Sequence, residues 1–386
     1  MGQHFLENFS DKNSDIEFWW DSSPLIFDSW RNDFLKKLDS SKKAEYLNFF
    51  NNLISESNPN SQFFLGATTN PILARQVILT DRDRWSKFVG AKKKNFKANS
   101  DALFWALYME VAKLGAEKFL PLYESSSKKY GYVSVQLDIR DINDIDIMIE
   151  KAEELAEISP NIMIKVPGTS AGYTVIERLT EKGISTNNTL CFVYPQIINC
   201  ANSVQRGYDC AVKNGVDMKG WRSVITHMEG RFGEAFEKIG RLQGICLSEG
   251  ELRLAELAIF KKAYQTINLR NIPTKLLSCS LRVGPTINGK TNMWHLEHKR
   301  ESNIVVTCPP SLFEQLTIVD IEPFEDSTIN NKIPASVMEK LLKIPDFVKC
   351  FNENGCSPEE YSSLPAFEKA KSDHLCATMD ILKFVS

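Results

Sequence analysis

The chain has 386 residues, 43% of them hydrophobic and 25% charged, with a formal net charge of −3 at pH 7. That length fits one large domain or two ordinary ones, and the composition is that of soluble globular proteins. A charge balance this close to neutral gives no electrostatic case for nucleic acid or an anionic membrane as the main partner.

The start, "MGQHFLENFSDKNSD", is polar and acidic and does not read as a secretory signal. It opens with Met1-Gly2, but Leu6 stands where an acylation motif needs Ser or Thr. The longest early charge-free apolar run, "ALFWALYM", is too short to span a bilayer. Nine cysteines with no C-x-x-C pair fit reduced thiols and a cytoplasmic location. Cys191, Cys279 and Cys308 lie in apolar strand-like runs, where cysteine acts as a small core residue.

Strand-like runs then follow one another along the chain. They are "IEFWWDSS" from Ile16, "FFLGATT" from Phe63, "YVSVQLD" from Tyr132 and "IMIKVPG" from Ile162. After them come "NTLCFVY" from Asn188, "SVITHM" from Ser223, "KLLSCSLR" from Lys275 and "NIVVTCP" from Asn303. The segments between them read as helices. Leu103, Leu107, Val111 and Leu114 form one apolar stripe, and "DINDIDIMIEKAEELAEI" begins with acids suited to a helix N-terminus. Eight strands alternating with helices predict an α/β fold, a (β/α)8 TIM-type barrel, with an open doubly wound sheet as the alternative. The expected organisation is a single domain over 1–386, with a barrel core at about 16–316. The remainder, about 317–386, reads as an extra C-terminal helical segment that could pack on the barrel's outside.

One strand raises a chemical question. Ile162, Met163, Ile164 and Val166 have the character of a strand buried on both faces, yet Lys165 sits among them. Lysine is almost never fully buried unless paired or employed. Either Lys165 snorkels or meets a carboxylate, or it is a desolvated amine that serves as a nucleophile. Barrel enzymes carry their working residues at the C-terminal ends of strands. Polar residues recur there: Asp21, Asn70, Gln136, Lys165, Asn187 with Thr189, Thr226, and Ser280 with Arg282. Taken singly, a Thr or Asn at a strand end is usually a turn or cap residue. A Schiff-base site, however, needs such a shell of proton carriers and hydroxyl partners around its lysine.

Other features carry less. "WHLEH" places His295 and His298 three apart with no third ligand nearby, so no metal is expected. "DIRDINDID" lacks the glycine and final glutamate of a calcium loop.

Several motifs in a common order resemble the transaldolase family, in particular its longer bacterial members, over roughly 16–316. "IMIKVPGTSAGYTVIERLTEKGISTNNTL" resembles the segment of the Schiff-base lysine and the next strand. "GATTNP" resembles the family's G-x-T-[ST]-N-P, "WWDSS" its first strand, and "SCSLR" its phosphate motif. The resemblance implies a cofactor-free enzyme that moves a three-carbon dihydroxyacetone unit from a ketose phosphate to an aldehyde acceptor. Lys165 would be the Schiff-base nucleophile, Asp21 the acid/base, and Thr189 the holder of the water used in forming and hydrolysing the imine. Asn70 and Asn187 would hold the ketol part, while Thr226, Arg231, Ser280 and Arg282 would serve the substrate and its phosphate. The partners implied are the sugar phosphate and the aldehyde, with a homodimer as one assembly open to the chain.

The departures from the family pattern matter as much. Gln136 stands where the family has a glutamate that works with the threonine-held water, and the fructose-6-phosphate aldolase branch also carries glutamine there. Met228 stands where that branch has a tyrosine, and Val193 where the family commonly has a serine. A glutamine can orient a water but cannot relay its proton, so another group is expected to help. His227 and Tyr194 are candidates whose orientation the sequence leaves open. Two further readings therefore stand beside the transferase: a lyase that releases dihydroxyacetone, and an inactive sugar-phosphate-binding paralogue.

Overall fold

The computed structural model describes residues 3–321 and 327–386, so the Met1-Gly2 start lies outside the described residues. Eight parallel strands close into a barrel in which each pairs with its sequence neighbours. They are β1 (Glu17–Trp20), β2 (Gly66–Thr68), β3 (Tyr132–Gln136), β4 (Ile162–Pro167), β5 (Thr186–Cys191), β6 (Ser223–Met228), β7 (Lys275–Cys279) and the closing strand Val305–Cys308. Closure is made by the closing strand, which pairs with β7 on one side and in register with β1 on the other, Glu17 opposite Val305. This is the expected (β/α)8 barrel.

Alternation along each strand sorts side chains between two environments. Phe18, Trp20, Val133, Val135, Ile164, Val166 and Ile225 join the main core between strands and helices. Trp19, Tyr132, Met163, Val224, Leu277 and Val305 form a separate buried cluster, the apolar floor inside the barrel. Above that floor, two residues further along the same strands, stand Asp21, Ser134, Lys165 and Thr226. Parity thus fills the bottom of the barrel with apolar side chains and lines its upper lumen with polar ones.

The helices follow from local chemistry. Leu103, Leu107 and Val111 are buried along the helix Ser100–Ser125, as their spacing predicts. Asp144 caps the helix Ile145–Ala156 by accepting from the Ile147 amide, with Asp146 in the first turn. Beyond the barrel the chain makes two short helices, Ala335–Leu341 and Pro345–Phe351, the second opening on a proline at its first position.

The last helix, Pro365–Val385, does not simply pack on the outside. It runs over the C-terminal ends of the strands, and its His374 and Asp373 bond to Gln136 at the end of β3 and to Arg231 just after β6. Arg75 to Asp380 and Lys369 to Glu234 tie the same helix to the helices after β2 and β6. Among the described residues no helix is long and apolar enough to cross a membrane.

Candidate active site

Lys165 is 6% exposed, and its side chain has neither an ion pair nor a hydrogen bond with any described residue. No described carboxylate neutralises it. Its Cα neighbours across the sheet are Gln136 on β3 and Asn187 on β5, which places the three residues at one level of the lumen. Asn187 is held from both sides: its Nδ2 donates to Ser134 Oγ at 2.7 Å, and its Oδ1 accepts from Thr226 Oγ1 at 2.6 Å. Thr189 lies one lumen-facing position higher on β5 and is buried. Next to it, Leu190 adopts φ 57 where the β5–β6 register shifts between Asn188 and Cys191. A non-glycine residue in that region costs on the order of 1–3 kcal/mol, a strain found mostly at functional positions.

Asp21 sits across the barrel, just past β1. Its Oδ1 accepts from Thr68 Oγ1 at 2.5 Å, and Cys279 Sγ lies 3.7 Å from its Oδ2. Burial pushes the Cys279 thiol up to about 11, and the Asp21 carboxylate reinforces this, so Cys279 stays a neutral thiol beside the acid. Asn70 follows β2 and caps the next helix, its Oδ1 accepting from the Leu73 amide at 3.0 Å. The cap role expected of an isolated Asn is real here, and it leaves the Asn70 amide N–H groups free to donate.

Asp21, Ser280, Arg282 and Arg231 line one cleft of about 340 Å³ together with Glu234, Lys369 and Asp373. Ser280 adopts φ 60, a second left-handed residue at the site. A Cβ on Gly230 would collide with the Ser280 carbonyl oxygen and lie 3.3 Å from Arg282 Nε, so only glycine lets the two segments meet this closely. Behind the cleft, the Arg282 amide donates to His295 Nδ1 at 2.9 Å, and His295 Nε2 then donates to Glu256 Oε2 at 2.6 Å. That explains the first histidine of "WHLEH": it buttresses the Arg282 backbone. Both arginines do form ion pairs, Arg231 with Asp373 at 2.8 Å and Arg282 with Glu234 at 3.8 Å. Each cleft cation is thus matched by a carboxylate, and Lys369 pairs with Glu234 as well.

A larger cleft of about 600 Å³ lies elsewhere, between the helix Ser100–Ser125 and the segment 138–141. It holds no residue from a strand's lumen face, and its charges pair locally, Arg140 with Asp101 and Lys151 with Glu154. Its size does not make it the site of the chemistry.

The two candidates for supporting Gln136 are not in the lumen. His227 has the opposite parity to Thr226 and is buried outside the barrel against Phe260, its Nδ1 against the Cys191 carbonyl. Tyr194 begins the helix Tyr194–Lys213 and bonds Thr266 at 3.0 Å. The residue that does reach Gln136 is His374, on the C-terminal helix, with Nδ1 2.6 Å from Gln136 Nε2. Sequence reasoning missed it, although one signal was there. His374 falls on the buried stripe of that helix with Phe367, Ala370, Ala377 and Ile381, a polar residue on an apolar face.

The family model for transaldolase/fructose-6-phosphate aldolase matches residues 51–345. The chain belongs to this family. Curated transaldolases are similar at modest identity. That of Mycobacterium ulcerans (strain Agy99) is 26% identical over 209 residues, 53% of this chain and 55% of the relative. That of Thiobacillus denitrificans (strain ATCC 25259 / T1) is 29% identical over 204 residues, 52% of this chain and 56% of the relative. That of Campylobacter jejuni subsp. jejuni serotype O:23/36 (strain 81-176) is 30% identical over 159 residues, 40% of this chain and 46% of the relative. The chain spans about half the length of the curated relatives it matches.

Proposed function

We propose that this family member is a Schiff-base transferase that moves a dihydroxyacetone unit from a ketose phosphate to an aldehyde. The observation that carries the reading is Lys165, a buried lumen lysine with no carboxylate partner among the described residues, level with Gln136 and Asn187. In its neutral form the Lys165 amine attacks the C2 ketone, and loss of water gives an iminium. Asp21 takes the C4 hydroxyl proton as the C3–C4 bond breaks, and the electron pair of that bond flows into the iminium to form an enamine. The aldose phosphate leaves, the enamine adds to the acceptor aldehyde, and water hydrolyses the new imine. Thr189 and Gln136 hold that water, Asn70 and Asn187 the ketol hydroxyls, and Thr226 keeps Asn187 oriented. The iminium itself is the electron sink, so the step needs no cofactor.

The phosphate end belongs in the cleft of Ser280, Arg282 and Arg231, where two guanidinium groups suit a dianion's acceptor oxygens. An entering phosphate replaces Asp373 as the partner of Arg231. Arg282→Ala is expected to weaken phosphorylated substrates alone, by about 1.5–3 kcal/mol for a charge-assisted contact. That is roughly ten- to a hundredfold in KM or kcat/KM, since each 1.36 kcal/mol is tenfold. Equal losses with an unphosphorylated ketose would make Arg282 structural.

Gln136 favours a second reading, a lyase in which water releases the three-carbon unit as dihydroxyacetone. Product analysis with fructose 6-phosphate separates the two. A transferase gives a seven-carbon ketose phosphate when erythrose 4-phosphate is present and little free dihydroxyacetone without it. Dihydroxyacetone appearing at one rate with or without the acceptor would mean the lyase, and no turnover in either case the binding paralogue.

A further inference from the structure

Gln136 is the family's clearest departure in this chain, and its surroundings say how an amide can stand in for a carboxylate. A carboxylate has two equivalent acceptor oxygens, whereas an amide has one end that accepts and one that donates. A glutamine left to itself beside a water presents either end. Here Gln136 Nε2 donates to His374 Nδ1 at 2.6 Å, and Oε1 is buried with no partner among the described residues. A buried acceptor left without a partner is costly, because it has given up its hydrogen bonds to water. Such an atom at the level of Lys165 is suited to a hydrogen-bond donor that arrives with the substrate. We propose that His374 is a positioning residue that locks the Gln136 amide with Oε1 facing the water of imine formation and hydrolysis.

This inference rests on the imine reading of Lys165. The lock requires an acceptor nitrogen at Nδ1, and so a neutral imidazole with its proton on Nε2. An imidazolium carries N–H on both nitrogens and would turn the amide round. Burial, with the nearby cations Lys165 and Arg231, holds His374 down to about 3, so it remains an acceptor through the neutral range. The helix that presents it is anchored on both sides of His374, by Lys369 to Glu234 at 2.8 Å and by Asp380 to Arg75 at 2.7 Å. From the other direction, Tyr108 Oη donates to the Gln136 carbonyl at 2.8 Å and fixes the backbone of the amide. The C-terminal helix is then a part of the active site.

The test compares His374→Ala, His374→Asn and His374→Gln in the full chain. The readout is the single-turnover rate of borohydride-trappable imine on Lys165 with fructose 6-phosphate. Asn places its Oδ1 where Nδ1 stood and can accept from Gln136; Gln matches the reach of Nε2 and cannot do so from the same place. His374→Ala and His374→Gln are expected to slow imine formation at least about tenfold, the worth of one well-placed hydrogen bond, with KM nearly unchanged. His374→Asn is expected to recover most of that loss. In a Gln136→Glu background the amide no longer needs orienting, so His374→Ala should cost less than about threefold. An adduct that forms as fast in His374→Ala as in the wild type overturns the proposal alone. Equal losses in all three variants, undiminished by Gln136→Glu, make His374 merely structural and also overturn it. If the wild type itself forms no adduct at Lys165, the imine reading fails and this proposal falls with it.

Discussion

Lys165→Met is expected to abolish turnover of ketose phosphates while the barrel folds as before. Removing the nucleophile leaves no route to the iminium, and losses of at least about 10⁴-fold are usual when the attacking group of a covalent mechanism is deleted. The fold should survive for a reason specific to this lysine. Breaking a buried ion pair costs about 3–5 kcal/mol because the remaining charge is stranded. Lys165 has no such partner among the described residues, so nothing is stranded when its charge is removed. Methionine keeps an unbranched stem that fills an irregular gap readily. Steady-state rates and urea midpoints decide the matter together. A variant that still turns over excludes Lys165 as the nucleophile, and one that unfolds shows the lysine to be structural.

The second large effect is expected from acid. Four of the five histidines are buried and His298 is half-buried, and all five stay neutral in the folded protein near pH 7. Burial holds His4, His227, His298 and His374 down to about 3, with Lys42 adding to the effect at His4 and Lys261 and Lys299 at His298. Burial also holds His295 well below the usual range. In the unfolded chain each histidine titrates near ~6.5, so below that pH the unfolded state binds protons that the folded state refuses. Stability contributed in this way is complete above that pH and is lost as pH falls. Each site forfeits about 1.4 kcal/mol per pH unit. Glu256 acts in the opposite sense: burial pushes it up to about 7, so the folded state takes one proton first. The balance is roughly four protons, a loss on the order of 4 kcal/mol between pH 7 and pH 5.5. A domain with ordinary stability of about 5–15 kcal/mol would then keep between about a fifth and three quarters of it. Urea midpoints at pH 7.5, 6.5 and 5.5 should fall steeply. A flat profile would show that the histidines gain their protons without unfolding.

The barrel was legible because its strands are buried on both faces and read as continuous apolar runs bounded by turns. The eight runs quoted from the sequence are the eight strands of the closed sheet. One boundary moved. β5 begins at Thr186, ahead of the expected Asn188, because polar Asn187 faces other polar groups in the lumen and so does not look like a strand residue. The position of Lys165 was legible for the converse reason, a charge inside an apolar run. Orientation was harder. His227 and Thr226 are adjacent, and only the closed barrel shows which of them faces inward. His374 showed only as a polar residue on the apolar face of its helix, and no local pattern says that it meets Gln136 across 238 positions of sequence. What brings it there is the path of that helix.

The measurement that bears most directly on the account is reduction with borohydride in the presence of fructose 6-phosphate, followed by peptide mapping. An imine is reducible and a free amine is not, so the three-carbon unit becomes permanently fixed to the nitrogen that held it. The account predicts one modified peptide, the one containing "IMIKVPGTSAG", with the added mass on Lys165 and none in Lys165→Met. An adduct on a different lysine, or none with any ketose phosphate, would contradict it.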